Sequence, residues 1–230
     1  MLGKTFNPEV PMKIASIVPS VCALALILAL AAPAPAGQRF GPRIPTAYFA
    51  TTGTGQSDQG IPPDPYETFS YDLALLEAGI ENFNVVYYTS VLPPEAYEVS
   101  LEAVKPHIHH GSVLETIMAK AGGVKGDTVC AGVGRVWAKD KSGKAIGGFA
   151  AEYERVYPGE TVDKTTVETD ARKQLTASLD HELSIRGLVR DGEMRFNITS
   201  LVIERKYGMA LSALGFVGFI YPDEFPIKRQ

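Results

Sequence analysis

Cysteine is nearly absent from this 230-residue chain: there are two, Cys22 and Cys130, and no Cys-x-x-Cys spacing. That excludes a disulfide framework and gives no cysteine basis for a zinc or thioredoxin-like site. Charge of one sign is equally scarce. Twenty-two Lys and Arg stand against 26 Asp and Glu, a formal net charge of −4 spread without long runs, so no phosphate-backbone partner is predicted and nucleic acid is not expected. The common catalytic signatures are missing as well, with no Gly-x-Ser-x-Gly elbow, no His-Glu-x-x-His and no P-loop. Long hydrophobic runs are confined to one place near the N-terminus. Apolar residues overall make up 45 % of the chain, which favours a single globular domain with one sizeable core.

The one long apolar run spans Ile14 to Ala32 without a charge, is preceded by Lys13, and is followed by Ala34-Pro35-Ala36 and Gly37. A basic flank, an apolar centre and small residues at −3 and −1 of a cut after Ala36 predict a signal-peptide leader over residues 1–36. A permanent anchor is the competing reading, because about nineteen uncharged residues just span a bilayer; Pro19, Pro33 and the Ala-x-Ala ending weigh against it. Loss of the leader would leave Cys130 alone, with no internal disulfide. It would also leave a chain with no membrane association, placed in the periplasm or secreted, with the cytoplasm as the alternative.

After an irregular arm, Thr46 to Thr51 reads as a first strand and Thr52 to Pro65 as a loop broken by Gly53, Gly55, Gly60, Pro62, Pro63 and Pro65. Gly53-Thr54-Gly55 lacks the third glycine of a dinucleotide fingerprint, Asp58 standing in its place. Thr68 to Ala78 has helical spacing, with Phe69, Leu73 and Leu76 on one stripe and Gly79 as the stop. Asp72 falls on that stripe, either as an edge residue reaching solvent or held inward for a purpose. Asn84 to Ser90 reads as a strand of the most buried type, ended by Pro93-Pro94. A helix is predicted from Val113 to Ala121, then a hairpin of strands Thr128 to Ala138 and Ala145 to Tyr153 around Lys139 to Lys144. Thr161 to Arg186 is the long helix, with Val167, Ala171, Leu175, Leu179 and Leu183 every four residues, a capping-box candidate at Thr165-x-x-Glu168, and Gly187 as its end. Strands near Phe196 to Glu204 and Ala210 to Tyr221 close the chain. Helices and strands mix without a βαβ rhythm, so the fold class is α+β with mixed or antiparallel sheets.

His107, His109 and His110 cluster before Gly111, but no Cys or carboxylate nearby completes a tetrahedral set, so a solvated loop and no metal are expected. His181 reads as a surface residue of the long helix. The odd feature is the strand exit Tyr88-Thr89-Ser90-Val91-Leu92-Pro93-Pro94-Glu95. A serine where a strand breaks can set its hydroxyl against the preceding carbonyl, the geometry of an N-to-O acyl shift, for which a polar group must steady the developing oxyanion. Asn84, six residues upstream, lies on the same face as Ser90 if the strand keeps its period of two.

These segments resemble the pyruvoyl-dependent arginine decarboxylases. The resemblance is carried by Tyr71-Asp72 through Gly79-Ile80, by Asn82-Phe83-Asn84-Val85 and by Thr89-Ser90-Val91-Leu92-Pro93-Pro94-Glu95-Ala96. Gly147 through Glu154, the long helix ending at Arg186-Gly187, and a closing glycine-rich strand follow in the same order. It implies a proenzyme cut between Thr89 and Ser90, giving a β chain 37–89 and an α chain 90–230 whose first residue, Ser90, becomes a covalent pyruvoyl group. It also implies conversion of L-arginine to agmatine and CO2 through a Schiff base to that group, with neither PLP nor a metal. By the same resemblance Asn84 assists self-cleavage, Glu152 is the proton donor and Asp72 binds the cationic end of the substrate. Glu152 lies in an otherwise apolar strand, an environment that keeps a carboxyl protonated. The implied architecture is a four-layer αββα sandwich assembled as a homotrimer of αβ units, with the site at a subunit boundary. The alternatives are a pyruvoyl decarboxylase of another amino acid, or a secreted binding protein of the same fold that never cleaves.

Overall fold

The computed structural model describes residues 42–221; the predicted leader over residues 1–36 and Cys22 lie outside them. The strands, in chain order, are β1 (Ile44–Pro45), β2 (Ala47–Ser57), β3 (Phe83–Tyr87), β4 (Val91–Leu92), β5 (Tyr97–Glu98), β6 (Ser112–Val124), β7 (Thr128–Lys139), β8 (Ala145–Tyr157), β9 (Val189–Val202), β10 (Tyr207–Phe216) and β11 (Phe219–Ile220). The helices are α1 (Ser70–Ala78), the single turn α2 (Leu101–Val104), which runs into a 3-10 turn, and α3 (Lys164–Ile185). They form a five-stranded sheet in the order β3-β6-β10-β2-β5, a four-stranded sheet in the order β4-β8-β7-β9, and a small β1-β11 pair. β3 and β5 run parallel to their neighbours while the four-stranded sheet is wholly antiparallel. The α+β class with mixed and antiparallel sheets is therefore borne out.

Three apolar clusters hold these elements. One lies between the sheets, built on Tyr48, Ile117, Ala119, Val129, Val133 and Leu214. A second joins α1 to the five-stranded sheet through Tyr71, Ala74, Leu75, Phe49, Leu211 and Met118. The third seats α3 on the four-stranded sheet. In α3 the predicted stripe is the buried one: Val167, Ala171, Leu175, Leu179 and Leu183 are all at most 5 % exposed, and each leucine so covered contributes about 1.5–3 kcal/mol. The helix cap lies two residues earlier than the capping-box reading. Asp163, not Thr165, is the cap, its Oδ1 accepting from the backbone of Thr165 at 2.8 Å and Thr166 at 3.3 Å.

Four expectations are corrected. The loop predicted from Thr52 is strand as far as Ser57, because Gly53 and Gly55 sit beneath α1: a Cβ on Gly53 would lie 2.1 Å from the Ala74 carbonyl oxygen, and one on Gly55 2.2 Å from that of Ser70. These glycines serve the approach of a helix backbone to a strand rather than a turn. The apolar stripe assigned to α1 is its outer face; Leu73 and Leu76 are exposed and Asp72 with them, while Ser70, Tyr71, Ala74, Leu75 and Ala78 are buried. Small side chains face inward because the strand is so close. The segment from Val113 to Ala121 is strand, not helix: as an inner strand β6 is buried at every position from Leu114 to Ala119 and shows no alternation to read. Finally, the strand read as most buried, β3, stops at Tyr87 and is an open edge, with Val86 and Tyr87 about half exposed.

Candidate active site

The chain between β3 and β4 passes from one sheet to the other. Upstream, the Tyr88 backbone N–H donates to the Thr116 carbonyl on β6 at 2.6 Å; downstream, the Ser90 carbonyl accepts from Ala150 on β8 at 2.9 Å. Val91 and Leu92 then pair with Phe149 and Gly148. This pairing requires Gly147, whose φ of 123° and whose absent Cβ, which would be 2.4 Å from the Leu92 carbonyl oxygen, let the strands meet. Thr89 is the exposed residue at the crossing, and the Thr89–Ser90 peptide is its last covalent step.

Strand β8 brings Glu152 to Ser90. The Ser90 hydroxyl donates to the Glu152 carboxylate at 3.2 Å to Oε2 and 3.3 Å to Oε1, across 62 residues of sequence. Ala151 and Tyr153 point into the α3 cluster, so by strand alternation Glu152 and Glu154 share the other face of β8. Though part of its side chain reaches solvent, the Glu152 carboxyl is held above the ordinary carboxylate range, chiefly by burial; the Ser90 hydroxyl opposes that shift and the Glu154 charge adds to it. A carboxyl biased toward its acid form beside a serine oxygen can give up a proton where it is needed. Glu154 itself accepts from the Lys120 backbone at 2.8 Å, tying the β8 edge to β6.

The remaining expected residues are placed less directly. Asp72 stands on the outer face of α1 beside Leu73 and Leu76. Asn84 does not share a strand face with Ser90, because β3 ends between them; its amide donates to the Gly111 carbonyl at 2.8 Å, and among the described residues no hydrogen bond joins it to Ser90. His107 ends the 3-10 turn and His109 and His110 follow in the loop before β6, with His110 Nδ1 3.0 Å from Asn82 Oδ1. Among the described residues no group of three or more metal-ligating side chains is present. Cys130 is fully buried and free, its thiol pushed up to about 12 by that burial.

One part of the site was not foreseen. Glu115 on β6, only 4 % exposed, accepts from the Tyr88 hydroxyl and is ion-paired with Arg43. The residue before Thr89 is thus held by side chain as well as by backbone. The signal was present in the sequence as a carboxylate inside Val113-Leu114-Glu115-Thr116-Ile117-Met118, a run that reads as helix once the strand is missed. A cavity of about 350 Å³ opens beside this network, lined by Arg43, Ile44, Pro45, Tyr88, Thr89, Val91 and Pro93. A larger one of about 600 Å³, walled by Tyr48, Tyr97, Glu98, Trp137 and Arg195 among others, contains none of the expected site residues.

The family model described as pyruvoyl-dependent arginine decarboxylase matches residues 47–220. The chain belongs to that family. Among its relatives, the pyruvoyl-dependent arginine decarboxylase AaxB of Chlamydia caviae is 44 % identical over 194 residues, 82 % of this chain and 99 % of the relative. AaxB of Chlamydia pneumoniae is 45 % identical over 185 residues, 78 % and 94 % of the two chains. The pyruvoyl-dependent arginine decarboxylase 2 of Archaeoglobus fulgidus is 33 % identical over 111 residues, covering 48 % of this chain and 64 % of its own. The family match therefore includes both flanks of the inter-sheet crossing and the Ser90–Glu152 pair.

Proposed function

We propose that this protein is a self-processing pyruvoyl-dependent arginine decarboxylase, converting L-arginine to agmatine and CO2, and that its prosthetic group is made from Ser90. The observation that carries this reading is the Ser90 hydroxyl set 3.2 Å from the Glu152 carboxylate where the chain passes from β3 of one sheet to β4 of the other. In the acyl shift the Ser90 oxygen bonds to the Thr89 carbonyl carbon as the peptide C–N bond breaks, leaving an ester. Elimination then breaks the Ser90 Cβ–O bond, frees Thr89 as a carboxylate, and leaves dehydroalanine, which takes up water and releases ammonia to become the pyruvoyl cap of the chain beginning at residue 90.

The surroundings of Ser90 fit such a group. The residue is half-buried, its own carbonyl is fixed by Ala150, and its side-chain position faces a carboxyl biased toward the acid form. The pyruvoyl carbonyl supplies the electron sink for carboxylate loss. Glu152 returns a proton to the substrate α-carbon, which is why a raised carboxyl belongs there. Asp72 takes the guanidinium as a charge-assisted partner. Asn84 assists self-cleavage, and the site lies at a subunit boundary, a placement supported by the absence of any Asn84–Ser90 hydrogen bond within one chain among the described residues.

The architecture proposed with this function is the four-layer αββα sandwich, supported by the three successive apolar clusters, assembled as a homotrimer of cleaved αβ units. Exposed Leu73, Leu76, Val86, Tyr87 and Val113 give the assembly its apolar surface. Chains 37–89 and 90–230 are the proposed products, with the leader 1–36 directing the protein to the periplasm or beyond the cell and the cytoplasm as the alternative; among the described residues no helix is long and apolar enough to cross a membrane. Incubating the purified protein with L-arginine, lysine and ornithine tests the reading. Agmatine from arginine, with little product from the others, is expected; turnover of lysine or ornithine in preference would assign a different substrate.

A further inference from the structure

We propose that the Arg43 cavity is the docking site for the carboxylate that self-cleavage creates at Thr89. The proposal rests on the cleavage reading above. Cleavage adds a carboxylate to a residue that already lines this cavity of about 350 Å³, and among the described residues that line it Arg43 is the charged one. The Arg43 guanidinium is paired with Glu115 and hydrogen-bonded to the Tyr221 and Tyr88 side chains, yet its side chain remains 42 % exposed. It is also braced over the Phe219 ring at 4.8 Å. A guanidinium offers five donors in a planar fork, enough to serve a second carboxylate while keeping the first.

The geometry gives the docked end a purpose. Before cleavage Thr89 is tethered to Ser90 and its carbonyl must meet the Ser90 oxygen. Afterwards an untethered anion beside the new carbonyl would compete with the substrate carboxylate and would raise the cost of charge at Glu152. Tyr88 stays anchored by Thr116 and Glu115, so only Thr89 has to move, and the cavity adjoining it on the Arg43 side is where a one-residue swing can take it. Arg43 belongs to the arm before β2, so the β chain folds back to hold its own new end.

A thermal double-mutant cycle tests this. Arg43→Gln is made in the cleaving protein and in the non-cleaving Ser90→Ala precursor, and intact mass confirms the state of each. Loss of the Glu115 partner lowers Tm in both backgrounds, so it cancels. The proposal predicts a further drop of about 2–4 °C in the cleaved protein alone, the size expected when one charge-assisted contact is lost from a domain of this length. Arg43→Lys should restore part of that difference. Equal drops in the two backgrounds would overturn the docking site while leaving self-cleavage standing; absence of a cut before residue 90 is read separately from the masses. Should Arg43→Gln fail to fold in either background, the same comparison is made with Arg43→Lys, where a larger drop in the cleaved protein is expected and equal drops again refute it.

Discussion

The two sheets are finished to different degrees. The four-stranded sheet is antiparallel throughout, sealed on one face by α3, and carries Glu152 and the partner of the Ser90 carbonyl. The five-stranded sheet ends in β3, an open parallel edge with exposed Val86 and Tyr87, and its helix α1 turns Leu73 and Leu76 outward. Where the chain passes from β3 to β4, the exposed residue is Thr89. The contrast shows why a chain can be cut inside its own core: each flank of the Thr89–Ser90 bond is held by hydrogen bonds to a different sheet, so the covalent link can be removed without releasing either end.

The sharpest test of the finished half is its chemistry. Glu152→Gln keeps the hydrogen bond to Ser90 but cannot ionise; self-cleavage is expected to proceed while turnover falls by about 10²-fold or more, the usual worth of a positioned proton donor. Full turnover in that variant would remove Glu152 from the role. The pH dependence has a defined sign. Burial raises the folded-state carboxyl above its unfolded value, so the stability associated with the acid form is complete below the ordinary carboxylate range and is lost as pH rises through the raised value. Wild type should lose both turnover and stability across that window, and Glu152→Gln should lack this component of the stability loss.

Next in size is the packing of the two helices, which the comparison predicts to fail by different routes. Leu175→Ala, in the α3 cluster, leaves a cavity and is expected to cost about 2–5 kcal/mol in denaturant titration. Gly53→Ala, under α1, inserts a methyl group 2.1 Å from the Ala74 carbonyl oxygen; overpacking of that kind is expected to cost about 1–3 kcal/mol, at the upper end here because backbone must move. A neutral Gly53→Ala would show that α1 does not sit as described. The smallest effect on folding belongs to Leu76→Ser on the outer face of α1, within about 0.5 kcal/mol for the single chain. Its sedimentation should shift toward lighter species, and an unchanged assembly would place the unfinished surface elsewhere.

These differences also explain what could be read from sequence. In α3 the buried stripe was legible because large side chains do the packing at a four-residue interval, and the hairpin of β7 and β8 was legible from its turn, where Asp140 accepts from Ser142 and Lys144 and Gly143 has φ of 88°. In α1 the sequence points to the wrong face because the contact is made by Ser70, Ala74 and Ala78 against glycines, and small residues carry little hydrophobic signal. β6 reads as helix in the sequence because an inner strand shows no alternation. Of the site, Ser90, Thr89 and Glu152 were legible through the family motif, and the structure joins Ser90 to Glu152. Asn84 shares a face with Ser90 only under a period that the strand does not keep, and the Glu115–Arg43 support is hidden in a segment whose sequence reads as helix.

The central claim is that the crossing between the sheets is where the chain cuts itself. Intact mass spectrometry of the purified protein, beside its Ser90→Ala variant, tests it most directly. The account predicts two chains from wild type, the downstream one starting at residue 90 with a pyruvoyl group in place of serine, and one uncut chain from Ser90→Ala. A single chain from a preparation that makes agmatine, or a cut at any other peptide, would contradict it.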